Sequence, residues 1–364
     1  MIPVLYSSSE TAFSSNGFGY LTEAVSCTVL EELDGSYELE LLYPISGKRY
    51  GDIALRTIIL AKPNKTDDPQ PFRAYSISRP MNGLVTVRAR HIVYDLNYIP
   101  YIAQVPGEPL GNVLTYLTSN TLVAHNFTLS VHPDSATPAG YYYIYHPASV
   151  KNIMSGMDGS ITDVFGGSWM YDKFKVYWCS SRGSNNGVTI RYGKNLTDLN
   201  QEENLANMYT MLVPYYFKGN YKTGGTWVPG AQQYYRLQTL SYERALILDV
   251  TDKFQNSTPT YSDVDAYVQD YIAQHDLTSP DVNITLSYLN LADTVEYKDL
   301  ALLETVSLGD TVTVIFENLG INTSARIISL KYDTLMDRYI TAQVGSVKPD
   351  VTTVIANMIR KYNV

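Results

Sequence analysis

The chain has 364 residues, of which 45% are hydrophobic and 17% charged, and its formal net charge is −9 at pH 7. This length suffices for two or three domains with hydrophobic cores. The acidic balance argues against a broad surface that binds nucleic-acid phosphates, because such a surface needs clustered Lys and Arg. No apolar run reaches the roughly eighteen residues of a membrane-spanning helix, and the N-terminus lacks the basic and apolar regions of a secretion signal.

Residues 1–105 are predicted to be rich in strands, because apolar and polar residues alternate there or β-branched residues cluster. Asn82 and Gly83 predict the turn of a hairpin, and a polar loop at 62–71 separates two of the strands. The predicted strands are 37–42, 57–61, 72–77 and 84–92.

Helical periodicity first occurs where Leu110, Val113, Leu114 and Leu117 fall at i, i+3, i+4 and i+7, which predicts a short amphipathic helix. Ser149 predicts the N-cap of another helix that runs through residues 154 and 157. We predict that an accessory domain begins in this part of the chain.

Strand composition returns at residues 173–178 and 188–192, which we predict to form a hairpin around the loop SSRGSNNG. Two more strands are predicted at 209–217 and 234–249, on either side of the Gly-rich segment 219–230.

A longer helix is predicted after Ser262 and Asp263, which have the composition of caps. Its apolar stripe consists of Val264, Tyr267, Val268, Tyr271 and Ile272. A similar stripe predicts a C-terminal helix over 354–362.

The segment from Leu308 to Gly345 predicts a meander of three antiparallel strands at 311–316, 326–332 and 339–344. Its layout of strand, polar loop, strand, turn and strand also occurs near the N-terminus. This recurrence indicates two related β-barrels.

A search for catalytic motifs finds no GxSxG, HExxH, P-loop or EF-hand pattern. His91 and Asp95 are four residues apart and could share a metal or a proton, but no third ligand is near in the sequence, which favours a structural histidine. The acidic pairs that could serve glycoside hydrolysis are Asp158 with Asp163 and Glu31 with Glu32. Such pairs arise by chance among 36 acidic residues, so we expect no catalytic, cofactor-binding or metal-binding residues.

Cys27 and Cys179 match no disulfide or metal spacing, and we expect both to be buried thiols. The 32 tyrosines are unusual beside 9 Phe and 3 Trp. They indicate either half-exposed strands or a surface that contacts proteins or sugars. The rings of Tyr141, Tyr142, Tyr143 and Tyr145 alternate across a strand, so some are exposed whichever face is buried; Tyr215 and Tyr216 alternate likewise.

Six runs of the sequence, taken in order, form a recognisable set: FRAYSISRPMNGLVTVRARHIVYDL (72–96), GSITDVFGGSWMYDKFKVYW (159–178), RGSNNGVTIRYGKNLTDL (182–199), MYTMLVPYY (208–216), EYKDLALLETVSLGDTVTV (296–314) and ARIISLKYDTLMDRYITAQVG (325–345). Together they resemble the hub region of phage tail-tip proteins. This family includes the prophage endopeptidase tail proteins, the N-terminal part of siphophage tail-associated lysins and, more distantly, the baseplate hub of contractile-tailed phages. The resemblance covers nearly the whole chain.

The resemblance implies a fold that is mainly β with minor α: two tube-like antiparallel β-barrels plus smaller accessory α/β domains. We expect the first barrel at 1–105 and an accessory α+β domain at 106–204. The second barrel then comprises 205–252 and 283–348, and a small helical domain comprises 253–282 and 349–364.

The resemblance also implies a function, namely a virion structural protein at the tail tip or baseplate hub. A homotrimer would form a pseudo-sixfold ring that continues the tail tube below the distal tail protein, in contact with other tail-tip or tape-measure proteins. DNA would pass through without specific binding. The expected location is the virion tail tip, and the bacterial host cytoplasm during assembly.

Family members named for peptidase or lysin activity usually carry it beyond the hub, and this chain ends at Val364 just after the hub-like part. We therefore expect no enzymatic activity. Two alternatives remain: a carbohydrate-binding or receptor-binding tail module that recognises a bacterial surface glycan, and a cell-wall hydrolase.

Overall fold

The computed structural model describes residues 1–345 except 80, 82, 158, 193, 221–223, 230–231, 255–257, 276, 279–280, 289–305 and 318–320. The chain forms two compact units. Unit 1 comprises residues 1–200 and the described residues from 284 onward, and unit 2 comprises residues 201–283.

Strands predominate over helices in both units. The helices are α1 (Leu110–Ser119), α2 (Val150–Met154), α3 (Ile161–Phe165) and α4 (Tyr261–Gln274), with 3₁₀ turns at Tyr50–Asp52, Ile92–Tyr98 and Thr251–Phe254. The strands are β1 (Val4–Tyr6), β2 (Gly19–Tyr20), β3 (Ser26–Glu32), β4 (Tyr37–Pro44), β5 (Ile58–Ala61), β6 (Gln70–Ser78), β7 (Leu84–His91), β8 (Pro100–Tyr101), β9 (Val105–Glu108), β10 (Thr128–Val131), β11 (Tyr142–Ile144), β12 (Ala148–Ser149), β13 (Ser168–Asp172), β14 (Lys175–Cys179), β15 (Thr189–Arg191), β16 (Leu196–Asn204), β17 (Met211–Asn220), β18 (Gly224–Pro229), β19 (Tyr235–Arg236), β20 (Ala245–Asp249), β21 (Asp281–Tyr288), β22 (Thr311–Phe316), β23 (Ile321–Asp333) and β24 (Arg338–Gly345). The predicted fold class, mainly β with minor α, is confirmed.

The central element of unit 1 is one continuous sheet. Most of its strands follow the order β21-β24-β23-β3-β4-β7-β6-β5-β1-β2, and β22 pairs with β23 off this path. The predicted N-terminal meander (β5, β6, β7) and C-terminal meander (β22, β23, β24) are both confirmed as antiparallel ladders. An antiparallel ladder between β23 and β3, which pairs Tyr332 with Val29, connects the two groups of strands.

The alternation of apolar and polar residues explains how the main sheet is oriented. Along β3, β4 and β7 every second side chain is buried, as expected for strands with one face on a core. Their buried side chains include Val29, Leu39, Leu41 and Val87, which belong to one hydrophobic cluster together with Phe72 of β6. The opposite face of β4 and β7 carries Glu38, Glu40, Arg88 and Arg90, whereas Glu31 of β3 lies on the buried side.

The accessory elements of unit 1 pack around a second core. The predicted helix at Leu110 is confirmed as α1, whose Leu110, Val113, Leu114 and Leu117 are all buried in this core. Ser149 is confirmed as the N-cap of α2, since its Oγ accepts a hydrogen bond from the Asn152 amide at 3.2 Å. α2 ends at Met154 and does not extend to residue 157.

The predicted hairpin of 173–178 with 188–192 is wrong. β14 pairs instead with β13 in an antiparallel ladder and with β10 in a parallel one. β15 pairs in parallel with β22 of the C-terminal meander. Strand composition shows which residues are extended, but it does not determine their hydrogen-bonding partners.

Unit 2 has its own small sheet and core. β17 pairs with β18, β19 and β20, so the strand predicted at 209–217 is confirmed, whereas 234–249 contains two short strands. The predicted helix is confirmed as α4, but Thr260 is its N-cap. Thr260 and Asp263 form a reciprocal capping box, and Ser262 lies inside the helix.

The four-part domain division predicted from the sequence stays a prediction. The predicted C-terminal helix at 354–362 lies outside the described residues.

Candidate functional site

The outward face of the main sheet carries a regular array of charged side chains. Glu38 and Glu40 on β4 and Arg88 and Arg90 on β7 all point away from the core, because the residues between them are buried. Both strands lie inside the sheet, flanked by β3 and β6, so the positions of their backbones are fixed by ladders on both sides.

The four charged residues form two cross-strand ion pairs. In the β4–β7 ladder Glu38 lies directly opposite Arg90, and Glu40 lies opposite Arg88. Arg90 Nε donates to Glu38 Oε1 at 2.9 Å, and Arg88 Nε donates to Glu40 Oε2 at 3.1 Å. Directly opposite residues of antiparallel strands have Cβ atoms about 5 Å apart, so the register itself brings each pair together.

Aromatic rings enclose the Arg90 end of this surface. The Arg90 guanidinium carbon lies 4.4 Å from the ring centre of Tyr75 and 5.5 Å from that of Tyr94. The Tyr75 hydroxyl donates to Glu38 Oε2 at 3.3 Å. The ladder between β6 and β7 shifts register between Ala74 and Ser76, which places Tyr75 in a bulge. The hydrogen bond with Glu38 raises the pKa of Arg90.

A third cation lies on the same surface. Lys331 on β23 is exposed and, with Thr28, Glu40 and Arg88, lines a shallow groove over β3 and β4. Arg88, Arg90 and Lys331 thus lie on this face beside the carboxylates of Glu38 and Glu40, and Glu32 and Asp333 alternate onto the same side of β3 and β23. We call Glu38, Glu40, Arg88, Arg90 and Lys331 the charged sheet face.

A second exposed surface is a row of tyrosines on and beside β11. Tyr141, Tyr143 and Tyr145 are 62%, 44% and 47% exposed, whereas Tyr142 is buried. This alternation was expected from the sequence and is confirmed. The rings of Tyr143 and Tyr145 are nearly parallel, with an interplanar angle of 9° and centroids 5.8 Å apart. Gly107, with φ +117°, leaves room for the Tyr143 ring, which a Cβ at that position would approach to 2.7 Å.

The structure separates His91 from Asp95. His91 is fully buried and stacks on Tyr37 with ring centroids 4.6 Å apart. Its Nδ1 accepts from the Val93 amide at 3.2 Å, and burial lowers its pKa to about 3. Asp95 instead forms a bidentate ion pair with Arg73, in which Nη2 lies 2.8 Å from Oδ2. The bonded, neutral imidazole is a structural histidine, as the sequence favoured.

The acidic pairs do not form a catalytic arrangement in the described residues. Glu31 and Glu32 are consecutive on β3 and therefore point to opposite faces. Asp163 caps the start of α3, where its Oδ2 accepts from the Gly159 amide at 2.8 Å. Asp158 lies outside the described residues.

Glu31 has a structural partner that the sequence analysis missed. Arg182 Nη2 lies 2.7 Å from Glu31 Oε1, and the two side chains are 11% and 4% exposed. Burial raises the pKa of Glu31, an effect that the charge of Arg182 opposes. No local sequence signal predicts this contact, because 151 residues separate the partners.

Backbone contacts hold the segment after Arg182 against the C-terminal meander. Gly183 and Gly309 approach so closely that a Cβ on Gly183 would lie 2.1 Å from the Gly309 carbonyl carbon. The Ser184 amide donates to Asp310 Oδ1 at 2.7 Å. These contacts explain why β15 pairs with β22 and not with β14.

Both cysteines are confirmed as buried free thiols, and burial raises the pKa of Cys27 to about 12. The described residues contain no group of three or more His, Cys, Asp or Glu arranged to hold a metal ion. Among the same residues, no helix has the length and apolar character needed to cross a membrane.

Comparisons with known proteins relate this fold to phage tails. The model of the prophage endopeptidase tail family matches residues 184–355, a segment that begins just after Arg182 and includes β15 to β24. No curated protein matches the sequence.

Several solved structures share the fold, and three tail proteins are among them. The prophage tail protein gp18 from Listeria monocytogenes EGD-e is 12% identical, with a TM-score of 0.59 and 99% of each chain covered. The tail protein from Neisseria meningitidis MC58 is 10% identical, with a TM-score of 0.59 over 95% of this chain and 96% of that one. The 43 kDa tail protein of prophage MuSo2 from Shewanella oneidensis is 13% identical, with a TM-score of 0.59 over 96% of this chain and 99% of that one.

The resemblance to phage tail-tip hub proteins noted in the sequence is thereby confirmed: residues 184–355 match the prophage endopeptidase tail family, and the chain has the fold of prophage tail proteins.

Proposed function

We propose that the chain is a structural protein of a phage or prophage tail tip, where it forms a trimeric ring that continues the tail tube and provides a DNA channel and an attachment platform. In this role it contacts the distal tail protein and other tail-tip or tape-measure proteins. It assembles in the bacterial host cytoplasm and ends in the virion.

The observation that carries the proposal is the two-sided main sheet of unit 1. A channel wall needs a sheet whose one face packs on a core while the other faces solvent. The main sheet meets this requirement over β23, β3, β4, β7 and β6, because one side packs on the core and the other side is the charged sheet face. Both of its arginines are paired with carboxylates, which suits a surface that DNA passes without being held.

The test of the ring is the mass of the purified protein in solution, because a closed channel needs cyclic assembly of several copies. Light scattering should give about three times the 40.8 kDa chain mass, and negative-stain images should show a central hole. A monomer at high concentration, even with the distal tail protein added, would refute the proposed ring.

The proposed role is structural and not enzymatic, although the family is named for an endopeptidase. In support, His91, Asp95, Glu31 and Asp163 each have separate structural partners. The purified protein should not clear a cell-wall suspension. Clearing that is lost in D158N/D163N would contradict the structural assignment and favour the hydrolase.

A second candidate function is carbohydrate binding by the exposed row Tyr141, Tyr143 and Tyr145. Exposed aromatic rings offer an apolar body with a polar tip, which suits the apolar faces and hydroxyls of a sugar. A glycan array should show binding that Y143A/Y145A removes. The matched control is Y234A/Y242A, which removes two tyrosines of similar exposure, 48% and 45%, in unit 2. Equal loss in both variants, or no binding, would rule this function out.

A further inference from the structure

The charged sheet face poses a physical problem for a DNA channel. It presents three cations, and an exposed Arg guanidinium binds phosphate through two parallel hydrogen bonds. Each phosphate contact releases counterions and strengthens binding to any DNA sequence. Unpaired arginines at Arg88 and Arg90 would therefore hold passing DNA.

The geometry provides a competing anion for each arginine. Glu40 binds Arg88 and Glu38 binds Arg90 through the Nε edge of the guanidinium. Because the partners lie directly opposite each other on two inner strands, their separation is set by the ladder. A phosphate must displace a carboxylate that is already in place.

Arg90 is restrained further. Its guanidinium lies over the Tyr75 ring, and the Tyr75 hydroxyl donates to the same carboxylate, Glu38. The Arg90–Glu38 ion pair and the Tyr75 ring thus stabilise one another. Together they hold the Arg90 guanidinium against the sheet and away from a ligand above it.

We propose that Glu38 and Glu40 are antiadhesive residues: they occupy Arg88 and Arg90, so that duplex DNA passes over the charged sheet face without being captured. This inference rests on the proposed function, because it assumes that the face borders the DNA path. The ligand class is the phosphate backbone of duplex DNA, independent of base sequence.

The test is DNA binding by the full-length protein carrying E38Q/E40Q, measured by fluorescence anisotropy with a short labelled duplex at several salt concentrations. Two freed arginines should steepen the dependence of log affinity on log salt by about 1.8. The ratio of the variant's DNA affinity to that of wild type should therefore fall about 12-fold as the salt concentration rises from 50 to 200 mM. Wild type and R88Q/R90Q should lack this increment.

The matched control is E243Q/E317Q. It breaks two other exposed pairs, Arg236 with Glu243 at 2.7 Å and Arg191 with Glu317 at 2.6 Å. Both double variants remove two carboxylates and change the formal net charge from −9 to −7. Because the control also frees two arginines, an equal gain in it would show that the effect is not specific to the charged sheet face and would overturn the inference. No gain in E38Q/E40Q would overturn it as well.

Light scattering of the same samples separates this inference from the proposed ring. A trimer whose E38Q/E40Q variant gains no DNA binding refutes the antiadhesive role and leaves the ring intact. A protein that never forms a ring, but whose E38Q/E40Q variant gains the specific increment, supports the masking of the arginines and refutes the channel.

Discussion

The buried ion pair between Arg182 and Glu31 connects residues 151 positions apart. We predict that R182M strongly destabilises unit 1. Methionine keeps much of the side-chain volume but removes the charge. Glu31, which is 4% exposed, would then be a buried carboxylate without its cation.

The expected loss is about 3–5 kcal/mol in the free energy of unfolding, the typical cost of removing one partner of a buried pair. The matched control is R88M, which breaks an exposed pair and should cost at most about 1 kcal/mol. Adding E31Q to R182M removes the stranded charge, so the double variant should regain part of the loss.

The loss in R182M should depend on pH. Burial raises the pKa of Glu31, and Arg182 opposes this rise, so the pKa should be higher still in R182M. A carboxyl whose pKa is higher in the folded than in the unfolded chain favours folding when it is protonated. Stability is then greatest below the unfolded pKa and is lost as the pH rises through the folded pKa. The deficit of R182M should therefore be larger at pH 7.5 than at pH 5.

Urea denaturation of wild type, R182M, E31Q/R182M and R88M at both pH values measures these differences. The reasoning is refuted if R182M costs no more than R88M, or if E31Q brings no recovery in the R182M background. A deficit that grows as the pH falls would contradict the assigned direction of the Glu31 pKa shift.

Three further predictions concern single positions. G183A should unfold at a lower urea concentration than G187A, because both glycines have positive φ but only Gly183 would place a Cβ against the Gly309 backbone. G187A should lower the free energy of unfolding by about 1–2 kcal/mol, and an equal loss in the two variants would contradict the close approach. Wild-type stability should fall from pH 6 to pH 4 partly through His91, because its pKa of about 3 keeps it neutral in the folded chain while the unfolded chain takes up the proton. H91Q should reduce the slope of unfolding free energy against pH by about 1.4 kcal/mol per pH unit, and an unchanged slope would argue against a neutral His91. T260A should weaken α4 by about 1 kcal/mol through loss of its capping box, seen as faster amide hydrogen exchange in unit 2 only.

Local structure was largely predictable, because it depends on periodicity over a few neighbouring residues. The stripe from Leu110 to Leu117 predicted α1, and the alternation in 311–344 predicted the meander of β22, β23 and β24. The caps were less predictable. Thr260 and Ser262 both have suitable side chains for a cap, and only the backbone conformation distinguishes them.

The ion pairs of the charged sheet face were only half predictable. Alternation along β4 and β7 places Glu38, Glu40, Arg88 and Arg90 on the solvent side. Which carboxylate meets which guanidinium depends on the register, and a slip of one residue would move every side chain to the other face. Burial of the intervening apolar residues excludes that slip.

The sequence by itself determined which segments are extended or helical, which side of each strand is buried, and the resemblance to tail-tip hub proteins. Only the tertiary structure decided that β3 pairs with β23, that β15 pairs with β22, and that Arg182 neutralises Glu31. The physical reason is that these contacts join residues more than a hundred positions apart. Their partners are selected by packing, charge and close backbone approach such as that of Gly183 and Gly309, none of which leaves a periodic signal in the chain.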